Sequence, residues 1–234
     1  MKRTNIFIRI SNTTHRMLFQ SSFWRNRIIR PYLSTHEIAR LQIGCGPYRL
    51  DGWLNTDIDI EACKAGALYL DAGEAFPFPD NTFDCIYSEH LFEHLRHEQA
   101  VNMLRECHRV LKPAGTIRIA TPDFHFLEDL YLHPEKPLNR RYIDWSASGG
   151  GGGRPMPPDA LHVINKFHTS WGHRIIYDRE TLTKMLEEHG FANVRSCETG
   201  RSSVPELNNV EAHFNYLPYD FYQLETMILE AGKA

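Results

Sequence analysis

Gly44-Cys45-Gly46 follows directly on a short apolar run. Two glycines at that spacing suit a backbone that must approach a ligand closely, because without Cβ atoms the N–H groups of the turn can face outward. Asp57 ends the next apolar run with Ile58 beside it, and an acid at the end of a second strand can accept both hydrogen bonds of a ribose diol. Asp59 offers a competing partner. A nicotinamide dinucleotide would want a third glycine at position 49, where Arg49 stands, and roughly 20 residues between the turn and the acid. Asp57 follows Gly44 by only 13 residues, so nicotinamide chemistry is disfavoured.

Two histidine-bearing stretches could do acid–base or metal chemistry. His90-Leu91-Phe92-Glu93-His94 has the H-x-x-E-H form, in which a zinc peptidase places two histidines on one helical face and lets the glutamate activate water. The competing reading turns Leu91 and Leu95 toward a sheet, leaves Glu93 or His94 to hydrogen-bond nearby loops, and lets His90 touch an acceptor. Phe167 to Arg174 brings His168, His173 and Trp171 together. Histidines five apart do not share a helical face, so they read as loop residues over the carboxyl ends of strands, where ligands bind. His168, His173 and His90 are therefore the candidate bases for a hydroxyl acceptor. Tyr142, Trp145 and Trp171 can be ligand contacts or a satellite core.

These residues need a scaffold, and from Ala39 onward apolar runs alternate with helix-period segments as in β-α-β units on a parallel sheet. Strands are expected at 39–43, 53–58, 67–70, 83–87, 116–120 and 192–197, with a last strand at 225–230. Ala100, Met103, Leu104, Cys107, Val110 and Leu111 mark a helix ended by Pro113 and Gly115. A second helix starts at an Asp178 cap and stops at Gly190. Residues 121–177, with five glycines at 149–153 and a proline cluster at 155–158, break the alternation and read as an irregular lid or acceptor-binding insertion.

Leu41-Gln42-Ile43-Gly44-Cys45-Gly46, Asp57, Asp71, Phe83-Asp84-Cys85-Ile86-Tyr87-Ser88 and Arg109-Val110-Leu111-Lys112-Pro113-Ala114-Gly115 together resemble a class I S-adenosylmethionine-dependent methyltransferase over about residues 40–123. The resemblance implies an α/β, doubly wound, Rossmann-like seven-stranded sheet with its last strand antiparallel. It implies S-adenosyl-L-methionine as cofactor, held by Gly44, Cys45 and Gly46 under the methionine, Asp57 and Ile58 at the ribose, Asp71 with Ala72 near the adenine, and Ser88 and Glu89 near the methionine portion. Gln42 stands where an acid is often found. The family carries a Glu-His-Leu run at position 89 without a metal, so no metal is expected. Asp51-Gly52-Trp53-Leu54-Asn55-Thr56-Asp57, Phe76-Pro77-Phe78 and the 225–230 ending are similar to small bacterial methyltransferases of surface-polysaccharide and secondary-metabolite pathways, which implies a small-molecule or sugar-like acceptor methylated on a hydroxyl. A catalytically silent methyltransferase-like scaffold is the alternative.

Composition sets the remaining bounds. The 234 residues, 42% hydrophobic and 24% charged, fit one globular domain, taken as 37–234 after a basic arm at 1–36. No apolar run approaches the roughly 18 residues of a membrane helix. Five cysteines without a C-x-x-C pair encode neither a disulfide framework nor a zinc finger, and a reducing, cytoplasmic setting is expected. Residues 1–30 carry seven basic and no acidic side chains within a chain of net charge −3. The arm can pack Phe23, Ile28 and Ile29 on the domain, touch a membrane surface weakly, or serve targeting; no nucleic-acid partner is expected.

Overall fold

Leu41, Gln42 and Ile43 are all buried, because a parallel strand with neighbours on both edges and helices on both faces has no wet side. They belong to Arg40–Ile43 (β1), which pairs in parallel with Leu54–Asp57 (β2) and Phe83–Glu89 (β4). Leu68–Tyr69 (β3) lies beyond β2 and Leu111–Pro122 (β5) beyond β4, both parallel. Thr226–Lys233 (β7) runs antiparallel between β5 and Phe191–Ser196 (β6), completing the order β3-β2-β1-β4-β5-β7-β6. The chain reverses its direction of winding between β1 and β4, and there the carboxyl ends of the strands open a crevice. The expected strands and the antiparallel last strand are all present.

The computed structural model describes residues 17–234. Residues 1–16, with Lys2, Arg3, Arg9 and Arg16, lie outside the described residues. The rest of the basic arm folds as Ser22–Thr35 (α1), capped by Ser21, and packs Ile29 and Tyr32 into the core. Phe23, expected to pack as well, is 70% exposed. Tyr32 closes the join: its hydroxyl donates to Arg40 O at 2.9 Å and accepts from Arg40 N at 2.8 Å. Ile60–Lys64 (α2) and His97–Val110 (α3) follow, and α3 buries Ala100, Met103, Leu104, Cys107 and Val110 as their spacing demands.

Residues 121–177 differ from expectation. They contain three helices, Phe124–Leu132 (α4), Pro137–Ala147 (α5) and Ala160–Thr169 (α6), with Asp123 and Asp159 capping the first and third. Phe126, Leu130, Tyr142, Val163 and Phe167 form a core of their own, shared with Phe221 and Tyr222 of Tyr219–Glu225 (α8). Phe124 N donates to Tyr177 O at 2.9 Å, so the insertion leaves and rejoins the sheet at one place. The glycine run makes a tight turn rather than a loose strap. Gly149, Gly151 and Gly152 have positive φ, and a Cβ on Gly150 would stand 2.3 Å from the Trp145 ring. Beyond the insertion, Arg179–Glu188 (α7) has its Asp178 cap and its left-handed Gly190, φ 89°, as expected.

The far edge of the sheet is tied by a buried charge network. Arg118 in β5 has no exposed surface; it donates to Glu230 of β7 and to Glu211, each at 2.6 Å, and to the carbonyls of Glu198 and Arg201. Arg195 of β6 reaches the other oxygen of Glu230 at 2.7 Å. Removing one member of such a set strands the others without charge compensation, at a cost of about 3–5 kcal/mol. Arg118→Met is therefore expected to lower unfolding stability by about that amount in urea denaturation, while Arg201→Met, whose side chain is exposed, stays within about 0.5 kcal/mol of the parent.

Candidate active site

The glycine turn after β1 is fastened from β2. Thr56 O accepts from Gly44 N at 2.9 Å and Cys45 N at 3.0 Å, and Asp57 Oδ2 accepts from Gly46 N at 2.7 Å. Asp57 Oδ1 accepts from Asp59 N, and Asp59 in turn caps α2 through Glu61 N and Ala62 N. The two acids thus divide their work: Asp59 holds a helix and Asp57 holds the turn, each Asp57 oxygen keeping a second lone pair. Gln42 has a task no carboxylate could perform, since its amide donates to Tyr48 O at 3.0 Å while its carbonyl accepts from Leu50 N at 3.2 Å. Gly44 and Gly46 have φ of 73° and 50°, where glycine is favoured. A Cβ on Gly44 would meet Leu91 at 3.1 Å, whereas above Gly46 nothing lies within 4 Å.

That open space leads into a cavity of about 460 Å³. Its floor is the turn with Glu89, His90, Glu93 and His94; its wall is Tyr142, Trp145, Lys166, Phe167, Trp171 and His173 from the insertion; His213, Tyr216, Leu217 and Glu225 close it. Glu93 has no exposed surface. Its Oε2 accepts from the Thr121 hydroxyl at 3.0 Å, and its Oε1 lies 3.3 Å from His90 Nδ1 and 3.9 Å from His94 Nε2. Burial opposes its charge, but the histidines outweigh burial and hold the carboxyl down at about 2. Burial likewise disfavours a charged His90, and Glu93 overrides it and raises the imidazole above its usual value.

His90 adopts φ 46°, stacks on His213 at 3.7 Å between centroids and bonds Thr226 Oγ1 through Nε2 at 3.1 Å. Desolvation, with the neighbouring His90 charge, pushes His213 down to about 3. His173 donates from Nδ1 to Phe167 O at 2.7 Å; a carbonyl only accepts, so the proton sits on Nδ1 and Nε2 keeps its lone pair. Burial lowers this histidine too. Opposite them, Glu225 is fully desolvated and pushed up to about 7 while Tyr142 donates its hydroxyl to Oε2. Lys166 donates to Ser146 Oγ at 3.1 Å and Gly150 O at 2.6 Å, and desolvation lowers its affinity for the proton.

Several expected site residues stand elsewhere. His168 is exposed and does not line the cavity; 160–169 is a helix, so Lys166 and Phe167 turn inward and His168 turns out. Ser88 is wholly buried beneath the floor. Glu89 lines the cavity, but its carboxylate is engaged by Ala212 N, His213 N and the Tyr222 hydroxyl. Asp57, Ile58, Asp71 and Ala72 lie at the carboxyl ends of β2 and β3, outside the enclosed space, with Ile58 49% exposed as an apolar surface and Asp71 accepting from Gly73 N. The H-x-x-E-H residues occupy a 3₁₀ turn, Phe92–His94, not an α-helix, so His90 and His94 share no helical face. Lys166, His213 and Glu225 carried no local sign in the sequence.

The two glycines should separate fold from binding. Gly44→Val drives a branched side chain into Leu91 and is expected to lower the melting temperature. Gly46→Val meets no protein atom, so the fold survives with modest strain while calorimetric affinity for S-adenosylmethionine falls at least about tenfold, or 1.4 kcal/mol.

Residues 41–119 match a family described as a methyltransferase domain. Among curated proteins, the ubiquinone/menaquinone biosynthesis C-methyltransferase UbiE of Cronobacter sakazakii is 31% identical over 126 residues, 52% of this chain and 43% of that protein. The match spans less than half the length of these curated relatives. A SAM-dependent methyltransferase from Archaeoglobus fulgidus is 21% identical with a TM-score of 0.48, over 89% of this chain and 91% of that one. One from Mesorhizobium loti is 17% identical with a TM-score of 0.48, over 92% and 99%. The glycine turn, the acid after β2 and the 3-2-1-4-5-7-6 sheet with β7 antiparallel agree with the match of residues 41–119 to a methyltransferase domain.

Proposed function

We propose that the protein transfers a methyl group to an oxygen of a small hydroxylated acceptor, planar or sugar-like, bound in the cavity beneath the 121–177 insertion. The observation that carries this reading is the continuity of that cavity: it begins in the space above Gly46 and ends on Glu225 and an aromatic wall. S-adenosylmethionine, when bound, supplies an activated sulfonium methyl; Gly44, Cys45 and Gly46 would hold its methionine part, with Asp57, Ile58, Asp71 and Ala72 toward the nucleoside.

The chain's own part is alignment and proton removal. Holding an acceptor in line can contribute about 7–11 kcal/mol. Trp145, Trp171 and Tyr142 would cover a planar or sugar face, and Lys166 would donate to an acceptor oxygen. The insertion excludes water from the reacting atoms, acting as the acceptor lid. Glu225 suits the base: it is buried, faces the cavity and ionises close to neutrality, where a general base works best. His90 is less suited, because Glu93 and Thr226 occupy its two nitrogens. Among the described residues no helix is long and apolar enough to cross a membrane, and the free cysteines, four of them buried, fit the reducing cytoplasm we assign it to.

The name of the matched relatives favours a second reading, methylation at carbon. Incubation with methyl-labelled S-adenosylmethionine and a metabolite extract, followed by mass spectrometry and NMR of the labelled product, separates a methoxy from a carbon-bound methyl; no labelled product would sink both. Glu225→Gln, which keeps shape and the Tyr142 contact, is expected to lower kcat about 10²- to 10⁴-fold with cofactor affinity unchanged. Retained turnover would remove Glu225 from the mechanism.

A further inference from the structure

Among the described residues, three groups of histidine and acidic side chains bring possible ligand atoms within 4.8 Å of one another, and two of them line the cavity. The third, His125 with Asp178 and Glu180, lies toward the surface, where His125 already bridges Glu128 and Glu180. Of the cavity pair, His90 with His213 and Glu225 is poorly built for an ion. Its imidazoles are stacked with planes only 14° apart, so their lone pairs run side by side instead of converging, and His90 Nε2 is already bonded to Thr226 Oγ1.

The other group has the opposite geometry. The His94 and His173 rings lie 4.9 Å apart with planes at 74°, so their nitrogens can aim at a common point. His173 is fixed by its Nδ1–H bond to Phe167 O, which leaves Nε2 as a lone-pair donor; a backbone carbonyl on the far nitrogen is the usual way a metal-binding imidazole is held. Glu93 is fixed by Thr121 through Oε2, while its Oε1, fully buried, accepts no hydrogen bond in the structure. The nearby His90 Nδ1 is within ion-pair range but not aligned as a donor. His94 Nε2 is 3.9 Å from that oxygen. Ligands on a tetrahedral zinc with bonds of about 2.0–2.1 Å stand about 3.3 Å apart, so small side-chain rotations would complete the set.

We propose that Glu93, His94 and His173 form a binding site for a divalent transition-metal ion, zinc by its chemistry, with the fourth coordination position open to the cavity. Two imidazoles and a carboxylate with one free position is the ligand set of catalytic rather than structural zinc. The assignment departs from the metal-free expectation and from the H-x-x-E-H arrangement: the glutamate is a ligand, and His90, stacked on His213 and bonded to Thr226, is not. An ion here would receive an oxygen of a cavity ligand and make a hydroxyl more acidic. The site stands whether or not the chain transfers methyl groups.

The test is direct binding. Full-length protein, freed of any histidine tag and stripped with chelator, is titrated with Co²⁺ and followed by the ligand-field absorption of four-coordinate cobalt, then with Zn²⁺ by calorimetry. One equivalent per chain is expected, with a dissociation constant of about micromolar or tighter. His94→Ala, His173→Ala and Glu93→Gln should each weaken binding at least about 100-fold, and His213→Ala should leave it intact. His94 has a third of its side chain exposed, so its variant tests the site with little risk to the fold. No saturable binding by the parent, binding unchanged in His94→Ala, or loss in His213→Ala alone would each overturn the assignment.

Discussion

A carboxylate with no contact with water must find its compensation inside the protein, and Glu93 imposes that demand where three parts of the chain meet. Its side chain draws His90 from the end of β4, Thr121 from the end of β5 and His94 from the turn between them. Its main-chain carbonyl accepts from Arg174 N at 2.7 Å and Ile175 N at 3.2 Å, which fastens the returning end of the insertion to the same residue. The floor and one wall of the cavity are thus referred to a single buried charge. The left-handed His90 sets its imidazole between Glu93 and Thr226, stacked on His213.

Much of the frame was legible because its determinants are local. The apolar runs, the Asp178 cap and Gly190 stop of α7, the α3 spacing and the β7 ending each announce themselves within a dozen residues. The three insertion helices were not legible. Each is short, its apolar positions are aromatic-rich and serve a core formed only when α8 arrives, and the glycine run beside them reads as irregular backbone. One consequence is His168, which a loop could have turned inward and a helix does not.

The candidate site divides in the same way. Gly44, Gly46 and Asp57 are a local device, joined around one turn by the hydrogen bond from Gly46 N to Asp57. His213, Lys166 and Glu225 come from three distant segments, brought together by the β5–β7 pairing and by packing of the insertion on α8. No spacing rule links them. Gln42 was visible as a departure from the usual acid, yet its reason, one amide serving a donor and an acceptor of the 48–50 segment at once, exists only in three dimensions.

The antiparallel β7 carries a consequence for how the molecule is made. It follows β6 in sequence yet lies between β5 and β6, so a nascent chain emerging from the ribosome holds β5 with an open edge until β7 is synthesised. In that interval Arg118 lacks Glu230, its partner across the two strands, and Glu225 is absent from the cavity. An apolar parallel sheet with an unpaired edge invites association with other chains, and chaperone contact during translation is the usual remedy. The half-made chain therefore has both an incomplete cavity and an open edge, and both conditions end when Glu225 and the eight-residue strand that follows it arrive.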